Sequence, residues 1–445
     1  MAVENRERVA TTPARETAVD CVEAGIEAAT PERAVEDGVA VADETLTVAD
    51  QAYDLASFSR ILLVGAGKGA GRLAAALVDE LDDAVDDGVV VSDEPADAGP
   101  VSVVVGDHPV PSERGADGAR RVRECVEGAS ADDLVVVALT GGASALLPAP
   151  APPLTLADVR EVTRELLDAG ATVDELNAVR KHCSTLKGGQ LVRAATPATV
   201  LTLALSDVVG DDPSVIGSGP TVGDETTFAD ALDVVDRYGV DVPPVRDRLE
   251  RGVGGEVPET PKPGEATFDR TAYHLLANAH TALSAAAETA REQGYRAMVL
   301  SASVEGEARE AGRFHAAIAR EVHETGQPAE PPVVLLSGGE CTVTVRGDGT
   351  GGPNLEFALA AGLTLRGAED VAVAAVDTDG RDGSTDVAGA LVDGGTADDP
   401  GVALEALDAN DSLGFLDSRS ATLRTGPTGT NVNDLRVVVV EGPGT

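Results

Sequence analysis

Short apolar runs that alternate with helical segments constrain the fold of this chain more than any other feature. From residue 60 onward, runs such as "RILLVGAG" and "DDLVVVALTGG" recur, and most are joined through segments with helical spacing. Continuous runs of Val, Ile and Leu are typical of parallel strands that helices cover on both faces. The pattern therefore predicts an α/β protein with a doubly wound, Rossmann-like parallel sheet.

The same pattern predicts two domains. Residues 241–266 are rich in proline and glycine, which marks a boundary. We therefore expect an N-terminal Rossmann-like domain over 1–240, a connector over 241–266 and a second α/β domain over 267–445. Residues 1–58 alternate alanine, valine and acidic residues at helical spacing, which predicts one or two amphipathic helices.

The charge balance excludes one class of partner. The chain has 76 acidic and 34 basic residues and a net charge of −42. A nucleic-acid partner would require clusters of Lys and Arg, so none is expected. Acidic residues spread along a chain that is 43% apolar favour a folded protein adapted to a cytosol of high salt, where charge repulsion is screened.

Cysteine usage and hydropathy favour a cytoplasmic protein. Four cysteines are scattered without a CxxC motif, which suits a reducing compartment and argues against a zinc site. No uninterrupted apolar stretch reaches the roughly 18 residues that a membrane span requires. We therefore expect a soluble protein without a membrane partner.

Lysine is rare in this chain, which draws attention to where it occurs. The sequence contains Lys68, Lys181, Lys187 and Lys262, and nearly all other cations are arginine. Lys68 lies in "VGAGKGAG", a glycine turn between a strand and a helix. Such a turn presents backbone amides to an anion, and Lys68 adds a full positive charge.

Three interpretations of this turn stay open. It could bind a phosphate or carboxylate, bind the pyrophosphate of a dinucleotide, or serve only as a structural turn. The dinucleotide pattern G-x-G-x-x-G/A is met loosely by Gly65, Gly67 and Ala70. The P-loop pattern is not met, because Gly69 stands where Ser or Thr would follow the lysine.

Other polar turns also follow predicted strands. "TGGASALL" carries Ser144, whose hydroxyl could donate to a small carboxylate or cap a helix. Asp207 directly ends an apolar strand, the position of a general base or a Mg²⁺ carboxylate, although loop aspartates are often simply solvated. "SGGE", "GGPN" and "DTDGRDGSTD" have the same character in the second half. Loops with acidic residues in one half of the chain that face the lysine-bearing glycine turn in the other half would form a cleft suited to phosphoryl transfer.

Seven motifs in order give the chain a specific resemblance. These are "VGAGKGAGRLA", "GDHPVPSERG", "TGGASALLPAP", "NAVRKHCSTLKGGQL", "LSDVVGDDPSVIGSGPT", "LSGGECTVTVRGDGTGGPNLEFAL" and "DTDGRDGSTDVAGA". Together they resemble the glycerate 2-kinases of the MOFRL type over nearly the whole chain. The resemblance implies two α/β domains with the active site in the cleft between them. It also implies transfer of the γ-phosphoryl group of ATP, with Mg²⁺, to D-glycerate, giving 2-phosphoglycerate.

The resemblance also implies roles for particular residues. It places Lys68 on the transferring phosphate and makes Asp207 a catalytic base or metal carboxylate. Residues implied to bind the substrate are Ser144, Arg180 and Lys187. Residues implied to bind the nucleotide are Gly65, Gly67, Gly69, Gly338, Glu340 and Asn354.

One position departs from the family pattern. Many members have an arginine where this chain has Pro353 in "GGPN", and that arginine is thought to assist catalysis. Proline cannot supply the charge. We therefore expect Arg381 or Arg346 to replace it, and we favour Arg381 because its loop could approach the site.

Two other functions remain open at this stage. Members of the family have also been described as hydroxypyruvate reductases, which use NAD(P) and act on a similar three-carbon acid. A protein that binds nucleotide or sugar acid without turnover is the third possibility. The sequence leaves the choice of monomer or homodimer open, and it does not fix the position of phosphorylation.

Overall fold

The structure is a computed structural model that describes residues 2–368 and 370–442. The helices are α1 (Arg6–Val9), α2 (Pro13–Ala28), α3 (Pro31–Gly38), α4 (Ala70–Leu81), α5 (Glu113–Glu127), α6 (Ala143–Leu146), α7 (Leu156–Asp168), α8 (Val173–His182), α9 (Gln190–Ala195), α10 (Phe228–Tyr238), α11 (Pro243–Val253), α12 (Ala279–Glu292), α13 (Ala308–Thr325), α14 (Pro353–Leu365), α15 (Pro400–Asp408) and α16 (Ser412–Ser418). The strands are β1 (Val39–Ala42), β2 (Thr45–Val48), β3 (Gln51–Asp54), β4 (Arg60–Ala66), β5 (Asp87–Ser92), β6 (Val101–Val105), β7 (Asp133–Leu139), β8 (Thr199–Leu205), β9 (Thr271–Ala277), β10 (Arg296–Ser301), β11 (Gly306–Glu307), β12 (Val333–Gly339), β13 (Cys341–Thr342), β14 (Val371–Asp377), β15 (Gly389–Asp393), β16 (Thr422–Leu423) and β17 (Asp434–Val440).

The chain forms two compact units. Pro31–Leu276 forms one, which we call the parallel-sheet unit. The described residues of Met1–Thr30 and Ala277–Thr445 form the other, which we call the mixed-sheet unit. This grouping differs from the predicted domains in two ways. The first thirty residues group with the carboxyl-terminal part of the chain, and residues 241–276 belong to the parallel-sheet unit.

The parallel-sheet unit contains a sheet in the order β6-β5-β4-β7-β8-β9. The ladders β5–β6, β4–β5, β4–β7 and β7–β8 are parallel, as predicted. Every residue of β7 is buried, and every residue of β4 after Arg60 is buried, so both faces of the sheet are covered. The strand order reverses between β4 and β7, and ligands of doubly wound sheets bind outside the carboxyl ends of the strands at this point.

A helical layer of the same unit includes part of the predicted connector. Helices α7, α8, α10 and α11 share a core that contains Phe228, Val245 and Leu249. Helix α11 begins at a Pro–Pro pair. Proline has a φ close to that of a helix, and its missing N–H is not needed in the first turn, so proline starts a helix here. Residues 241–266 are therefore partly helical and packed.

The prediction of helices throughout 1–58 is wrong for residues 39–54. This segment forms the antiparallel meander β1-β2-β3. Its sequence "VAVADETLTVADQAYD" alternates with a period of two and carries β-branched residues, which favours strands. Asp43 and Glu44 turn the chain with φ of 50° and 60°.

The mixed-sheet unit contains a sheet in the order β10-β12-β17-β14-β15-β16. Strand β17 is antiparallel to both of its neighbours, β12 and β14. The carboxyl ends of β12 and β14 therefore lie at one edge with the start of β17. Both Gly339 and Asp377 pair with Asp434 in the ladders at this edge.

Helix α2 belongs to the mixed-sheet unit because its apolar face is buried there. Val22 and Ile26 share a core with Leu283 of α12 and with Leu435 and Val437 of β17. A Cβ atom placed on Gly25 would lie 2.6 Å from Leu435 Cδ2, so this helix packs closely. A long-range contact of this kind has no local signature in the sequence.

In the part of the chain that the structure describes, no helix combines the length and the apolar character needed to cross a membrane.

Candidate functional site

The glycine turn after β4 is bonded to the turn after β7. The Lys68 amide donates to Gly141 O at 2.8 Å, and the Gly69 amide donates to Thr140 Oγ1 at 3.0 Å. The Thr140 amide donates in return to Ala66 O at 3.1 Å. These bonds fix the two turns side by side at the point where the strand order reverses.

The glycines of the first turn permit this close approach. A Cβ atom on Gly65 would lie 2.0 Å from Ala138 O, and one on Gly67 would lie 2.1 Å from Thr140 Oγ1. The Gly67 amide donates to Val91 O at 3.0 Å. The amides of Gly67, Lys68 and Gly69 therefore donate within the chain, so these three amides are not available to an anion. A nucleotide-binding role for Gly65, Gly67 and Gly69 stays a prediction.

Three polar side chains meet at the second turn. A Cβ atom on Gly141 would lie 2.1 Å from Asp207 Oδ2. One on Gly142 would lie 3.0 Å from His108 Cδ2 and 3.2 Å from Lys68 Cγ. Lys68 and Asp207 are thus placed at adjacent glycines, as their positions at strand ends predicted, and His108 joins them.

A cavity of about 230 Å³ opens beside this turn. The predicted substrate-binding residues Ser144, Arg180 and Lys187 all line it, together with His108 and Ser184. Among the described residues that line the cavity, none is an aspartate or glutamate. In a chain with a net charge of −42, such a lining is suited to a small anion.

The hydroxyl of Ser144 is already committed. Ser144 Oγ lies 2.7 Å from Ser218 Oγ, and Ser218 Oγ donates to Asn177 Oδ1 at 2.8 Å. Ser218 donates its single hydroxyl proton to Asn177. In the bond between the two serines, Ser144 is therefore the donor and Ser218 the acceptor. The expected donation from Ser144 to a carboxylate is therefore not available in this arrangement, and Ser144 Oγ can only accept.

The two cations of the cavity differ in their surroundings. Lys187 Nζ donates to Ser144 O at 2.9 Å and to Leu147 O at 3.2 Å, which leaves its third proton for a ligand. Burial, and then the charge of Arg180, lowers the pKa of Lys187 to about 7. Burial also lowers the pKa of Arg180. An anion in the cavity would favour the charged form of both side chains.

Lys181, by contrast, has a structural partner. Its Nζ lies 3.2 Å from Asp224 Oδ1, and both side chains are buried. Thr260 Oγ1 also donates to Asp224 Oδ2 at 2.9 Å. The motif "VRKH" therefore places one cation on the cavity and the next in a buried ion pair.

The predicted residues of the mixed-sheet unit surround a group of buried acids. Asn354 Nδ2 donates to Asp434 Oδ1 at 2.6 Å and to Asp382 Oδ1 at 3.3 Å. Asp382 also accepts from the amides of Asn354 and Leu355, at 2.9 and 2.7 Å, at the start of α14. Asn354 is 1% exposed. A contact between Asn354 and a nucleotide stays a prediction, and the structure gives this side chain internal partners.

Burial dominates the acid–base properties of this group. Burial raises the pKa of Asp382 to about 7. Burial also raises the pKa of Asp434, and the nearby charge of Arg436 partly offsets this increase. The pKa of Asp377 is raised well above its ordinary value by burial and then by the charge of Asp379. Gly338 contributes its carbonyl, which accepts from Arg436 Nη1 at 3.3 Å.

Glu340 and Arg381 are exposed at the same edge. The Arg381 amide donates to Asp379 Oδ1 at 2.8 Å, which shapes its loop. Pro353 is the first residue of α14, where a proline suits the helix start. A catalytic role for Arg381 stays a prediction.

Across residues 2–368 and 370–442, no group of three or more His, Cys, Asp or Glu side chains is arranged to hold a metal ion. A Mg²⁺ ion that accompanies a nucleotide is usually held by one or two carboxylates, with phosphate and water as its other ligands. Asp207, whose side chain fills the space over Gly141, stays a predicted Mg²⁺ carboxylate.

These features define the class: a two-unit α/β protein with a cationic cavity at the switch point of a parallel sheet. The sequence matches "Domain of unknown function (DUF4147)" over residues 17–250 and "MOFRL family" over residues 333–434. The D-glycerate 2-kinase of Thermotoga maritima is 38% identical, covering 96% of this chain and 98% of that protein.

Two further proteins are similar to this chain over most of their length. The crystal structure of a Thermotoga maritima glycerate kinase has a TM-score of 0.83 and 37% identity, covering 96% of this chain and 99% of that one. An Agrobacterium vitis protein, provisionally named a hydroxypyruvate reductase, is 43% identical over 86% of this chain and 87% of its own length. The chain therefore belongs to the family of MOFRL-containing glycerate kinases.

The depressed pKa of Lys187 predicts a pH dependence of stability. Between its folded pKa of about 7 and its ordinary value of 10.5, the unfolded chain holds a proton that the folded chain lacks. Stability therefore rises with pH across this interval. We expect the free energy of unfolding of wild type, relative to Lys187→Met, to increase from pH 7 to pH 10 in denaturant titrations. Lys262→Met is the control for loss of a lysine outside the cavity. If the difference in unfolding free energy between wild type and Lys187→Met did not change with pH, the lowered pKa of Lys187 would be contradicted.

Proposed function

We propose that the protein is a glycerate kinase that transfers the γ-phosphoryl group of ATP to D-glycerate and forms 2-phosphoglycerate. The observation that carries this proposal is the cavity of Arg180 and Lys187, which opens beside Lys68 and Asp207. The cavity offers two cations to a small carboxylate. Lys68 and Asp207 lie near Gly142 and Gly141 of the turn beside it, which supports the proposal that they act on the acceptor hydroxyl. The choice of the 2-hydroxyl rests on the family resemblance.

The proposed reaction divides the work among these residues. Arg180 and Lys187 bind the carboxylate of glycerate. Asp207 accepts the proton of the attacking hydroxyl as its oxygen bonds to the γ-phosphorus and the bond to ADP breaks. Lys68 neutralises the charge that develops on the transferring group. When bound, Mg²⁺ would neutralise phosphate charge; Asp207 would hold it only as the alternative to accepting the proton, because a metal-bound carboxylate is a poor base.

The residues of the mixed-sheet unit have supporting roles in this proposal. Glu340 is exposed beyond the end of β12, and we propose that it contacts the nucleotide, as the family resemblance implies. We assign Asn354 to ordering the acids at the start of α14, because its amide group bonds to Asp382 and Asp434.

An assay with alternative co-substrates tests the function. We expect purified protein in molar KCl to form phosphoglycerate from D-glycerate with ATP and Mg²⁺, and no hydroxypyruvate with NAD(P)⁺. The provisional name of the Agrobacterium vitis relative makes the second reaction the specific competitor. Hydroxypyruvate formation would replace the kinase assignment with a reductase. Calorimetric binding of glycerate or ATP without turnover would indicate a binding protein.

Removal of the Lys68 ammonium group should affect turnover more than binding. We expect Lys68→Ala to lower kcat by about two or more orders of magnitude, because its charge acts mainly on the transition state. Steady-state kinetics with both substrates measure the effect. Lys262→Ala, which removes a lysine outside the cavity, should keep near-normal kcat, and a near-normal kcat for Lys68→Ala would defeat the assignment.

Arg381 is proposed to replace the arginine that Pro353 lacks. We expect Arg381→Ala to lower kcat by about tenfold or more if its guanidinium stabilises the transferring group. Arg366→Ala removes another exposed arginine of the mixed-sheet unit and should leave kcat unchanged. Unchanged turnover in Arg381→Ala would exclude the role.

A further inference from the structure

His108 lies in the motif "GDHPVP", to which the proposed reaction assigns no role. The motif follows β6, and contacts on both sides of His108 hold it in place. Asp107 Oδ1 accepts from Arg114 Nη2 at 2.8 Å. On the other side, Pro111 O accepts from Arg160 Nε at 2.5 Å. These bonds anchor residues on both sides of His108, whose own side chain is exposed.

The position of His108 is at one end of the cavity. Its ring packs over Gly142, where Lys68 Cγ also lies. The Lys187 ammonium group binds Ser144 O, two residues further along the same turn. His108, Gly142, Ser144 and Lys187 all line the cavity, and Lys68 Cγ lies near Gly142 on the side of His108. A three-carbon acid whose carboxylate binds Lys187 would extend toward His108.

We propose that His108 hydrogen-bonds to the hydroxyl of glycerate that is not phosphorylated and thereby selects the hydroxyl that reacts. The inference rests on the proposed function. An acid held only at its carboxylate can rotate about its carbon–carbon bonds and present either hydroxyl to Lys68 and Asp207. A second fixed contact removes this freedom, because the imidazole holds one hydroxyl and leaves the other for transfer.

The kinetics of His108→Ala should separate this role from a structural one. We expect KM for D-glycerate to rise about tenfold, the usual scale for one lost hydrogen bond to a ligand, with KM for ATP within about twofold of wild type. The ratio of 2- to 3-phosphoglycerate, measured by ³¹P NMR, should shift toward the minor product. His108→Gln, whose amide can bond in place of the imidazole, should restore part of both properties.

His323→Ala is the matched control, since His323 is an exposed histidine on α13. It should match wild type in both KM values and in the product ratio. An active His108→Ala enzyme with unchanged KM for glycerate and unchanged product ratio would overturn the inference. Equal changes in both KM values, together with a lowered Tm, would also overturn it, because they indicate a structural role.

A binding measurement distinguishes failure of this inference from failure of the proposed function. The Tm of wild type and His108→Ala is recorded with and without D-glycerate, in the absence of ATP. If wild type binds glycerate but does not phosphorylate it, a weaker shift in His108→Ala still supports the contact, and an equal shift rejects it. A wild type that neither binds nor phosphorylates glycerate overturns both proposals.

Discussion

The hydrogen bonds that join the β4 turn to the β7 turn are the constraint on which the candidate site depends. They place Lys68 against Gly142 and leave Gly141 beneath Asp207. The turns can approach so closely only because glycine stands at the contact points, where any Cβ atom would overlap backbone or side-chain atoms. The glycines thus act through packing, and the amides of Gly67, Lys68 and Gly69 are bonded within the chain.

A second constraint is electrostatic. Burial lowers the pKa of both Arg180 and Lys187, the charge of Arg180 lowers that of Lys187 further, and both line a cavity whose described lining contains no acidic side chain. Burying cations without carboxylate partners costs folding free energy, because their hydration is lost. The chain has many acidic residues that could pair with a buried cation, and Lys181 is paired in this way with Asp224. An unfavourable arrangement of this kind is characteristic of a site that a ligand completes.

Much of the fold could be predicted from local pattern, since burial on both faces imposes continuous apolar strands and glycine marks the turns that follow them. The meander of β1–β3 has a period of two over only four residues per strand, and a helical spacing applied to all of residues 1–58 overlooks so short a change of period. Residues 241–266 were interpreted as a connector because proline usually interrupts structure, whereas Pro243 begins a packed helix. The placement of α2 depends on contacts with residues more than 250 positions away, and spacing cannot reveal them.

The α/β class, the strand-end positions of Lys68 and Asp207 and the family motifs follow from the amino-acid pattern alone. Which groups are available for chemistry depends instead on contacts made in three dimensions. The tertiary structure directs the Ser144 hydroxyl to Ser218, engages the amides of the glycine turn within the chain, buries Asn354 among acids and brings His108 to the cavity. The physical reason is that a hydrogen-bonding group has few bonds to give, and its partners are set by distances between segments remote in the chain.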